Sequence, residues 1–367
     1  MAGISETIWP CEKHTEAKHL ILKSYIGAWV SILPNKFSKA LFVDGFSGPG
    51  EYEGGEPGSP LIAIAEVGNA LKNTTKNFSL QMYFVDARND RIENLKQKIS
   101  SAQSDSKIKI HEPICGRFED ELPGIITNFK NGILGSQFPM LIFIDPFGVK
   151  GYPLELIRKI LSNRSAEVFL LLDVDGINRN LSNAPLMKEV FGDGCEKIIE
   201  EILREGDTQT RYKMIRKLHE KVAGRLSQFY LPFRMLETSK KVFHDMVFLT
   251  NNQLGFLKMK EAMWRADSSG RFQFVDTEYN SLTFDFKAWK MELWDLMLKK
   301  FRGRKVTGAE VKAFVEFNTR FLDRHKREVL NENETSGMDA DKKIRVEKIG
   351  RKKNTFPEDA AIYFPAG

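Results

Sequence analysis

Five short apolar runs alternate with amphipathic stretches along the first half of the chain. They are continuously apolar, which is typical of strands that are buried on both faces of a parallel sheet. They are Ala40–Val43, Leu80–Asp86, Lys107–Pro113, Pro139–Asp145 and Glu167–Asp175. Helices are predicted over Leu61–Leu71, Ala87–Ile99, Glu119–Phe129 and Pro153–Leu161. Strand and helix alternating in this way predict an α/β fold with a doubly wound, Rossmann-like sheet.

A further helix is predicted before the first strand, over Thr15–Leu33. Tyr25 and Trp29 lie on one face of it, and Pro34 follows its end. Two interpretations are open. The helix can cover the mouth of a binding site with Lys18 and His19 at the rim, or these two residues can be simple surface positions.

The second half of the chain changes character twice. Residues 176 to 240 are mostly polar and are predicted to form a helical insertion, after which His244–Asn252 and Gly255–Arg265 supply a last strand and helix. The tail then has the pattern of two helices and a β-hairpin, which are the parts of a winged helix. The predicted domains are therefore 1–300, an α/β domain with an N-terminal helix and a helical insertion, and 301–367, a basic, winged-helix-like domain.

Composition limits the class of protein. The 367 residues are 42% hydrophobic and 28% charged, as in globular domains with a real core. No apolar stretch approaches twenty residues and the start lacks a secretory pattern, so we expect a cytoplasmic protein without a membrane span. Cys11, Cys115 and Cys195 are far apart, and the histidines lack ligand spacing. Neither disulfides nor a metal site is predicted.

The net charge of +6 is concentrated near the end of the chain. Between residues 342 and 353, seven basic residues stand against one acid, Glu347. Such a hairpin can bind phosphates, or its lysines can simply protect an edge strand. The predicted nucleic-acid contacts are Lys342, Lys343, Arg345, Lys348, Arg351, Lys352 and Lys353.

A glycine-rich loop follows the first strand and is the strongest local signal. Closely spaced glycines let the backbone pass beneath a nucleotide-like ligand, although such loops also serve as plain turns. Asp86 ends the second strand, where an acid can accept hydrogen bonds from both ribose hydroxyls or cap the helix predicted from Arg88. The predicted cofactor-binding residues are Asp44, Gly45, Phe46, Ser47, Gly48, Gly50 and Asp86.

Prolines after the loop distinguish between cofactors. A dinucleotide site needs a helix that begins inside the glycine run, whereas Pro49, Pro57 and Pro60 delay this helix by about ten residues. The loop instead resembles the first motif of S-adenosylmethionine-dependent methyltransferases. In related folds the loop after the third strand reaches the adenine ring, so Phe118 and Glu119 are candidates for that contact. Acids at a helix start are equally explained by the helix dipole.

The tetrad Asp145-Pro146-Phe147-Gly148 ends the fourth strand. It resembles the tetrads of amino-methyltransferases, and in the form D-P-F-G those of tRNA guanine-N2 dimethyltransferases. The likeness implies that Asp145 and the Pro146 carbonyl accept the N–H bonds of a base amine while Phe147 stacks on the flipped base. It departs from D-P-P-Y in lacking the second proline. The alternative is a plain turn after a buried strand.

Several motifs together resemble the three-Cys-motif partner protein family (TcmP). They are the Lys18-His19 helix, VDGFSGPGEYEGGEPGSP, IDPFG, GINRN, LTNNQLGFLKMKEAMW and VTGAEVKAFVEFNT with IRVEKIGRKKNTFP. The resemblance spans nearly the whole chain. It implies a methyltransferase-like fold, a bacterial mobile-element or defence setting, and a radical-SAM-like partner protein. It implies no established reaction.

Two hypotheses follow. The first is a methyltransferase that uses S-adenosylmethionine to methylate an exocyclic base amine in RNA or DNA. The second is a non-catalytic, methyltransferase-like adaptor that binds nucleic acid and a partner protein. A nuclease is less well supported, because no acid cluster of nuclease type is evident in the sequence.

Overall fold

The computed structural model describes residues 6–100, 106–130, 137–150, 153–237, 242–267, 269–275, 288–334, 343–352 and 354–366. The chain divides into two compact units. Unit 1 comprises Met1–Ala266 and Gln273–Tyr279, and unit 2 comprises Asp267–Phe272 and Asn280–Gly367.

Unit 1 is built on a nine-stranded sheet within the described residues. The strands are β1 (Lys39–Asp44), β2 (Ser79–Asp86), β3 (Ile108–Ile110), β4 (Ile114–Cys115), β5 (Met140–Ile144), β6 (Ala166–Asp173), β7 (Phe229–Glu237), β8 (Val242–Thr250) and β9 (Gln273–Val275). Their order is β3-β2-β1-β5-β6-β8-β7-β9, with β4 beside β2. The strands from β1 to β6 pair in parallel, and β8 runs antiparallel to both β6 and β7.

Helices connect these strands in sequence. They are α1 (Lys13–Ile32), α2 (Ser59–Leu71), α3 (Asn89–Ser100), α4 (Phe118–Lys130), α5 (Leu154–Leu161), α6 (Val174–Arg179), α7 (Ala184–Phe191), α8 (Glu196–Arg204), α9 (Thr208–Ala223) and α10 (Gln253–Ala266), with a 3-10 turn at Leu33–Asn35. The central strands β5 and β6 are buried along their whole length. The predicted doubly wound α/β sheet is therefore confirmed.

Two predictions about the sheet are wrong. The prediction of a helical insertion through residue 240 missed strand β7, which contains Pro232. A proline inside a strand pattern usually excludes a central strand, yet β7 pairs with β8 on one side and β9 on the other. The fifth strand also ends at Asp173 instead of Asp175, because the Asp173 side chain accepts a hydrogen bond from Gly176 N and begins α6.

Unit 2 contains, in chain order, α11 (Ala288–Phe301), β10 (Lys305–Thr307), α12 (Gly308–Asn318), α13 (Asp323–Asn333), β11 (Arg345–Glu347) and β12 (Ala361–Tyr363). Strand β12 lies between β10 and β11 and is antiparallel to both. Thr307 caps α12 through a reciprocal capping box with Glu310. Helix α11 was not predicted from the sequence.

The crossover from β3 back to β5 sets the position of the site in unit 1. The chain winds outward from β1 through β2 and β3, then returns to the other side of β1 at β5. Open α/β sheets bind ligands outside the carboxyl ends of the strands where the winding direction reverses. Here that point lies between the end of β1, at Asp44, and the end of β5, at Asp145.

Candidate functional site

The loop between β1 and α2 folds back on itself at its glycines. Gly48 and Gly50 have φ angles of 61° and 90°, in the left-handed region that favours glycine. Gly58 N donates to Gly50 O at 2.7 Å, which joins the two ends of the loop just before α2 begins at Ser59. The delayed start of this helix agrees with the prediction from the prolines.

Asp44 organises the loop from beneath. Its buried carboxyl accepts hydrogen bonds from Ser59 Oγ at 2.6 Å and Phe46 N at 3.2 Å. The pKa of Asp44 is raised to about 7, mainly by burial and to a smaller extent by the nearby charges of Asp145 and Asp86, while these hydrogen bonds oppose the shift. Asp44, Asp86 and Asp145 are therefore close enough at this edge of the sheet to interact electrostatically.

Asp86 holds the same loop from the next strand. Its carboxylate accepts from Gly48 N at 3.0 Å and from Arg88 N at 2.9 Å, and Arg91 Nη1 lies 3.9 Å away. The contact with Arg88 N supports the start of α3, which is the alternative role considered for this acid. The contact with ribose hydroxyls stays a prediction.

Asp145 follows the end of β5 and forms an ion pair with α1. Lys18 Nζ lies 2.6 Å from Asp145 Oδ2, and both side chains are largely shielded from solvent. The sequence analysis considered Lys18 as a residue at the rim of the site, without identifying its partner. The ion pair brings α1 to the end of β5.

A buried carboxyl fixes α1 on the sheet. Glu167 of β6 accepts hydrogen bonds from Tyr25 Oη at 2.7 Å and from Thr250 Oγ1 at 2.9 Å. Burial raises the pKa of Glu167 to about 7, although these hydrogen bonds oppose the shift. Tyr25 is thus anchored to β6 through Glu167, and the helix holds Lys18 at the site two turns earlier.

Aromatic side chains surround the entrance. Trp9 meets Tyr52 and Phe147 edge to face, with ring centroids 5.7 and 5.5 Å apart. The Arg91 guanidinium lies 4.7 Å from the Trp9 ring centroid and 5.0 Å from that of Phe147. Phe147 is still 50% exposed, so part of its ring is free to stack on a ligand. The sequence analysis assigned no role to Trp9.

The opposite wall is polar and carries histidines from two elements. His244 Nδ1 of β8 lies 3.4 Å from Asp173 Oδ1 of β6, and the His14 and His244 ring centroids are 6.3 Å apart. Burial, followed by the charge of Lys18, lowers the pKa of His14 and of His19 to about 4. Both imidazoles are consequently neutral near pH 7.

These walls enclose a cleft of about 440 Å³. The predicted residues that line it are Phe46, Ser47, Gly48, Gly50, Asp145, Pro146 and Phe147. Others that line it are Trp9, His14, Lys18, His19, Tyr52, Asp173 and His244. Asp44, Gly45 and Asp86 lie behind the loop and shape it without lining the cleft.

Phe118 and Glu119 lie away from the cleft. Phe118 is buried directly behind Gly45, where an added Cβ would come within 2.4 Å of the ring. Glu119 is paired with Arg117. Their predicted contact with an adenine ring stays a prediction, whereas the close approach of Phe118 explains why Gly45 has to be a glycine.

The basic segment of unit 2 forms several internal contacts. Arg351 is paired with Glu334 and Lys348 with Asp359, while Arg345 lies 3.1 Å from Glu347 and over the Tyr363 ring. Lys343 is half-buried and Lys352 is exposed. Lys342 and Lys353 lie outside the described residues.

Two further properties belong to the described part of the chain as a whole. Its helices include none that combines the length and apolar character needed to cross a membrane. Its His, Cys, Asp and Glu side chains form no group of three or more suited to a metal ion. Cys11, Cys115 and Cys195 are free thiols.

Neither a protein-family model nor a curated protein sequence matches the chain. Among solved structures, the O-methyltransferase TomG from Streptomyces achromogenes, in complex with SAM, is 14% identical, with 63% of this chain and 79% of that chain covered and a TM-score of 0.32. A putative O-methyltransferase from Klebsiella pneumoniae is 11% identical, with 66% of this chain and 92% of that chain covered and a TM-score of 0.31. Trm1 from Pyrococcus horikoshii, in complex with S-adenosyl-L-methionine, is 12% identical, with 72% of this chain and 61% of that chain covered and a TM-score of 0.31. The likeness is distant in each case.

Proposed function

We propose that this protein transfers a methyl group from S-adenosylmethionine to an exocyclic amine of a nucleic-acid base. The observation that carries the proposal is the position of Asp145-Pro146-Phe147 beside the glycine loop, at the point where the sheet reverses its winding. Reactive groups at this point meet a ligand that lies across the ends of β1 and β5.

The cleft has the chemistry of a site for an adenosyl sulfonium. Its volume of about 440 Å³ lies within the range of small-molecule pockets. A sulfonium is a cation, and the aromatic rings of Tyr52 and Phe147 that line the cleft attract one. When bound, this cofactor supplies an electrophilic methyl group.

Asp145 and its neighbours suit an amine acceptor. Oδ2 of Asp145 is bound by Lys18, whereas Oδ1 has no hydrogen-bond donor among the described residues and can accept one N–H. The Pro146 carbonyl accepts from Gly148 N at 3.1 Å and has a second lone pair for another N–H. The exposed face of Phe147 can stack on the base. Holding the amine in this way supplies catalysis through orientation.

Calorimetry with S-adenosylmethionine and S-adenosylhomocysteine tests the cofactor first. Transfer of a tritiated methyl group to homopolymeric RNAs and to heat-denatured DNA then tests the acceptor. We expect Asp145→Ala to abolish transfer while the cofactor affinity stays within about threefold, because the acceptor contacts are lost and the glycine loop is unchanged. Failure of the wild-type protein to bind either ligand would exclude this function.

Unit 2 is the proposed nucleic-acid-binding part. The order helix, strand, helix, helix, strand, strand, with β12 between β10 and β11, supports a winged helix. Lys343 and Lys352 are the better candidates for phosphate contacts, since Arg351 and Lys348 have acidic partners. Lys352→Ala should weaken binding to every sequence alike and reduce its salt dependence.

The second candidate is the adaptor, which the internal contacts of Asp86 favour. A carboxylate already bound by Gly48 N and Arg88 N has less capacity left for ribose hydroxyls. An adaptor of the three-Cys-motif partner type would bind nucleic acid and a radical-SAM-like protein in a bacterial cytoplasm. Its nucleic-acid affinity should then be independent of cofactor and should survive Asp145→Ala.

A further inference from the structure

Asp173 and His244 form a carboxylate–imidazole pair on the wall of the cleft. They are opposite each other in the antiparallel register of β6 and β8, and His244 Nδ1 lies 3.4 Å from Asp173 Oδ1. Both side chains are buried, yet both line the same cleft as Asp145. A buried polar pair that borders a cleft has access to a ligand as well as to its own partner.

The surroundings of Asp173 hold its carboxylate in one orientation. Oδ1 also accepts from Gly176 N at 2.7 Å. A Cβ on Gly176 would come within 2.1 Å of Asp173 Oδ2, so this glycine leaves the space that the carboxylate needs. His244 Nδ1 is buried 3.4 Å from Oδ1 and has no hydrogen-bond partner among the described residues. The negative charge of the fixed carboxylate beside it favours the tautomer that carries the proton on Nδ1, which leaves Nε2 to accept one.

We propose that His244 is the general base of the reaction and that Asp173 is the residue that positions it. This inference rests on the proposed function. The acceptor nitrogen forms its bond to the methyl carbon as the carbon–sulfur bond breaks and leaves its electron pair on sulfur. The N–H proton of the acceptor passes to His244 Nε2 and then to solvent, so the charge balances.

Asp145 and His244 have different partners, and these partners decide which of the two residues is suited to removing a proton. Asp145 Oδ2 is bound by Lys18 Nζ at 2.6 Å, so Asp145 is suited to accepting a hydrogen bond and less suited to removing a proton. Among the described residues, no ammonium group forms an ion pair with His244's partner Asp173 in the way that Lys18 does with Asp145. Asp173 instead stabilises the imidazolium that forms after proton transfer.

Other charged and titratable groups border the pair and enter any pH dependence. They are His14, Lys18 and, through His14, Glu12 near α1, Asp145 at the end of β5, and Arg179 of α6 beside Asp173. The turnover of each variant is therefore compared with that of the wild type at the same pH.

A spectroscopic measurement tests the inference without any substrate. In the full chain labelled with ¹⁵N-histidine, loss of one signal set in His244→Gln identifies His244 in a long-range ¹H–¹⁵N spectrum. We expect the neutral form at pH 8 to carry its proton on Nδ1 and to have a bare Nε2. A proton on Nε2 instead would overturn the assignment whether or not the protein is active.

Methyl transfer provides the second measurement. With tritiated S-adenosylmethionine and the homopolymeric RNA that is labelled best, His244→Gln should lower turnover about 100-fold. Asp173→Asn, which retains an N-cap for α6, should lower turnover at least 10-fold. S-adenosylhomocysteine affinity by calorimetry should stay within about threefold in both variants.

His111→Gln is the matched control. His111 stacks on Tyr83 at 3.8 Å and contacts Gln81, and it does not line the cleft. Turnover at the wild-type level in His244→Gln would overturn the role of the base. An inactive wild type would exclude the proposed function instead, and the spectrum would still decide which nitrogen of His244 is protonated.

Discussion

Lys18 Nζ lies 2.6 Å from Asp145 Oδ2, across 127 positions of sequence. This ion pair joins a helix that precedes the sheet to the end of a central strand. It also distinguishes the two carboxylate oxygens of Asp145, since Oδ2 is bound by Lys18 and Oδ1 has no hydrogen-bond donor among the described residues.

The Lys18–Asp145 pair should be strongly coupled because it is shielded from water. Lys18→Met leaves a partly buried carboxylate without its cation and should lower the free energy of unfolding by about 1–3 kcal/mol. A double-mutant cycle with Asp145→Asn should give a coupling of about 1–2 kcal/mol in urea unfolding. The exposed pair Arg204–Glu200 is the control and should couple much less. Equal coupling in the two pairs would contradict this interpretation.

Gly45→Ala should destabilise unit 1 through overpacking. Its methyl group would meet the buried Phe118 ring at 2.4 Å, so either the ring or β1 has to move. The expected loss is about 1–3 kcal/mol in urea unfolding. Gly68→Ala in α2 is the control, since no atom lies within 4 Å of its new methyl group, and it should stabilise by about 0.5–1 kcal/mol. A neutral Gly45→Ala would show that the contact relaxes freely.

Glu167 should make the protein less stable as the pH rises. Its pKa is about 7 in the native state and 4.5 in the reference state, so the native protein binds this proton more tightly. The stability it contributes is fully present below pH 4.5 and is lost as the pH rises through 7, about 3 kcal/mol in all. Glu167→Gln should remove this decline.

Urea unfolding of wild type and Glu167→Gln at pH 4.5, 6 and 8 measures the effect as a difference. Burial lowers the pKa of His219 to about 4, so this residue makes the protein more stable as the pH rises. It is present in both proteins, and its contribution therefore cancels in the difference between the two curves. Glu155→Gln, at an exposed position, should retain the pH dependence of the wild type. Parallel curves for wild type and Glu167→Gln would contradict the expectation.

Trp9 should report occupancy of the cleft. Of the five tryptophans, it alone lines the cleft, where it contacts Tyr52 and Phe147. Saturating S-adenosylhomocysteine should change the intrinsic fluorescence, and Trp9→Phe should remove most of that change. Trp289→Phe in unit 2 should leave it intact. A change that persists in Trp9→Phe would place the responding tryptophan elsewhere.

The sequence by itself determined the parallel strands β1, β2, β3, β5 and β6, the glycine loop and the tetrad after β5. These features depend on local patterns, because a run such as Met140–Ile144 is apolar throughout only if both of its faces are buried. The positions of Asp44 and Asp145 at strand ends therefore predicted that they would meet at one edge of the sheet, and the structure brings them together.

Tertiary structure alone decided which side chains face the cleft. Lys18 contacts Asp145, and His244 lies beside Asp173, only because the order of the strands places β5, β6 and β8 side by side. Strand β7 was not predicted because it contains Pro232. Whether a strand tolerates a proline depends on how the neighbouring strands pair with it, and local sequence does not reveal that pairing. A side chain's partner is chosen by long-range packing, and neither residue periodicity nor spacing along the chain carries that information.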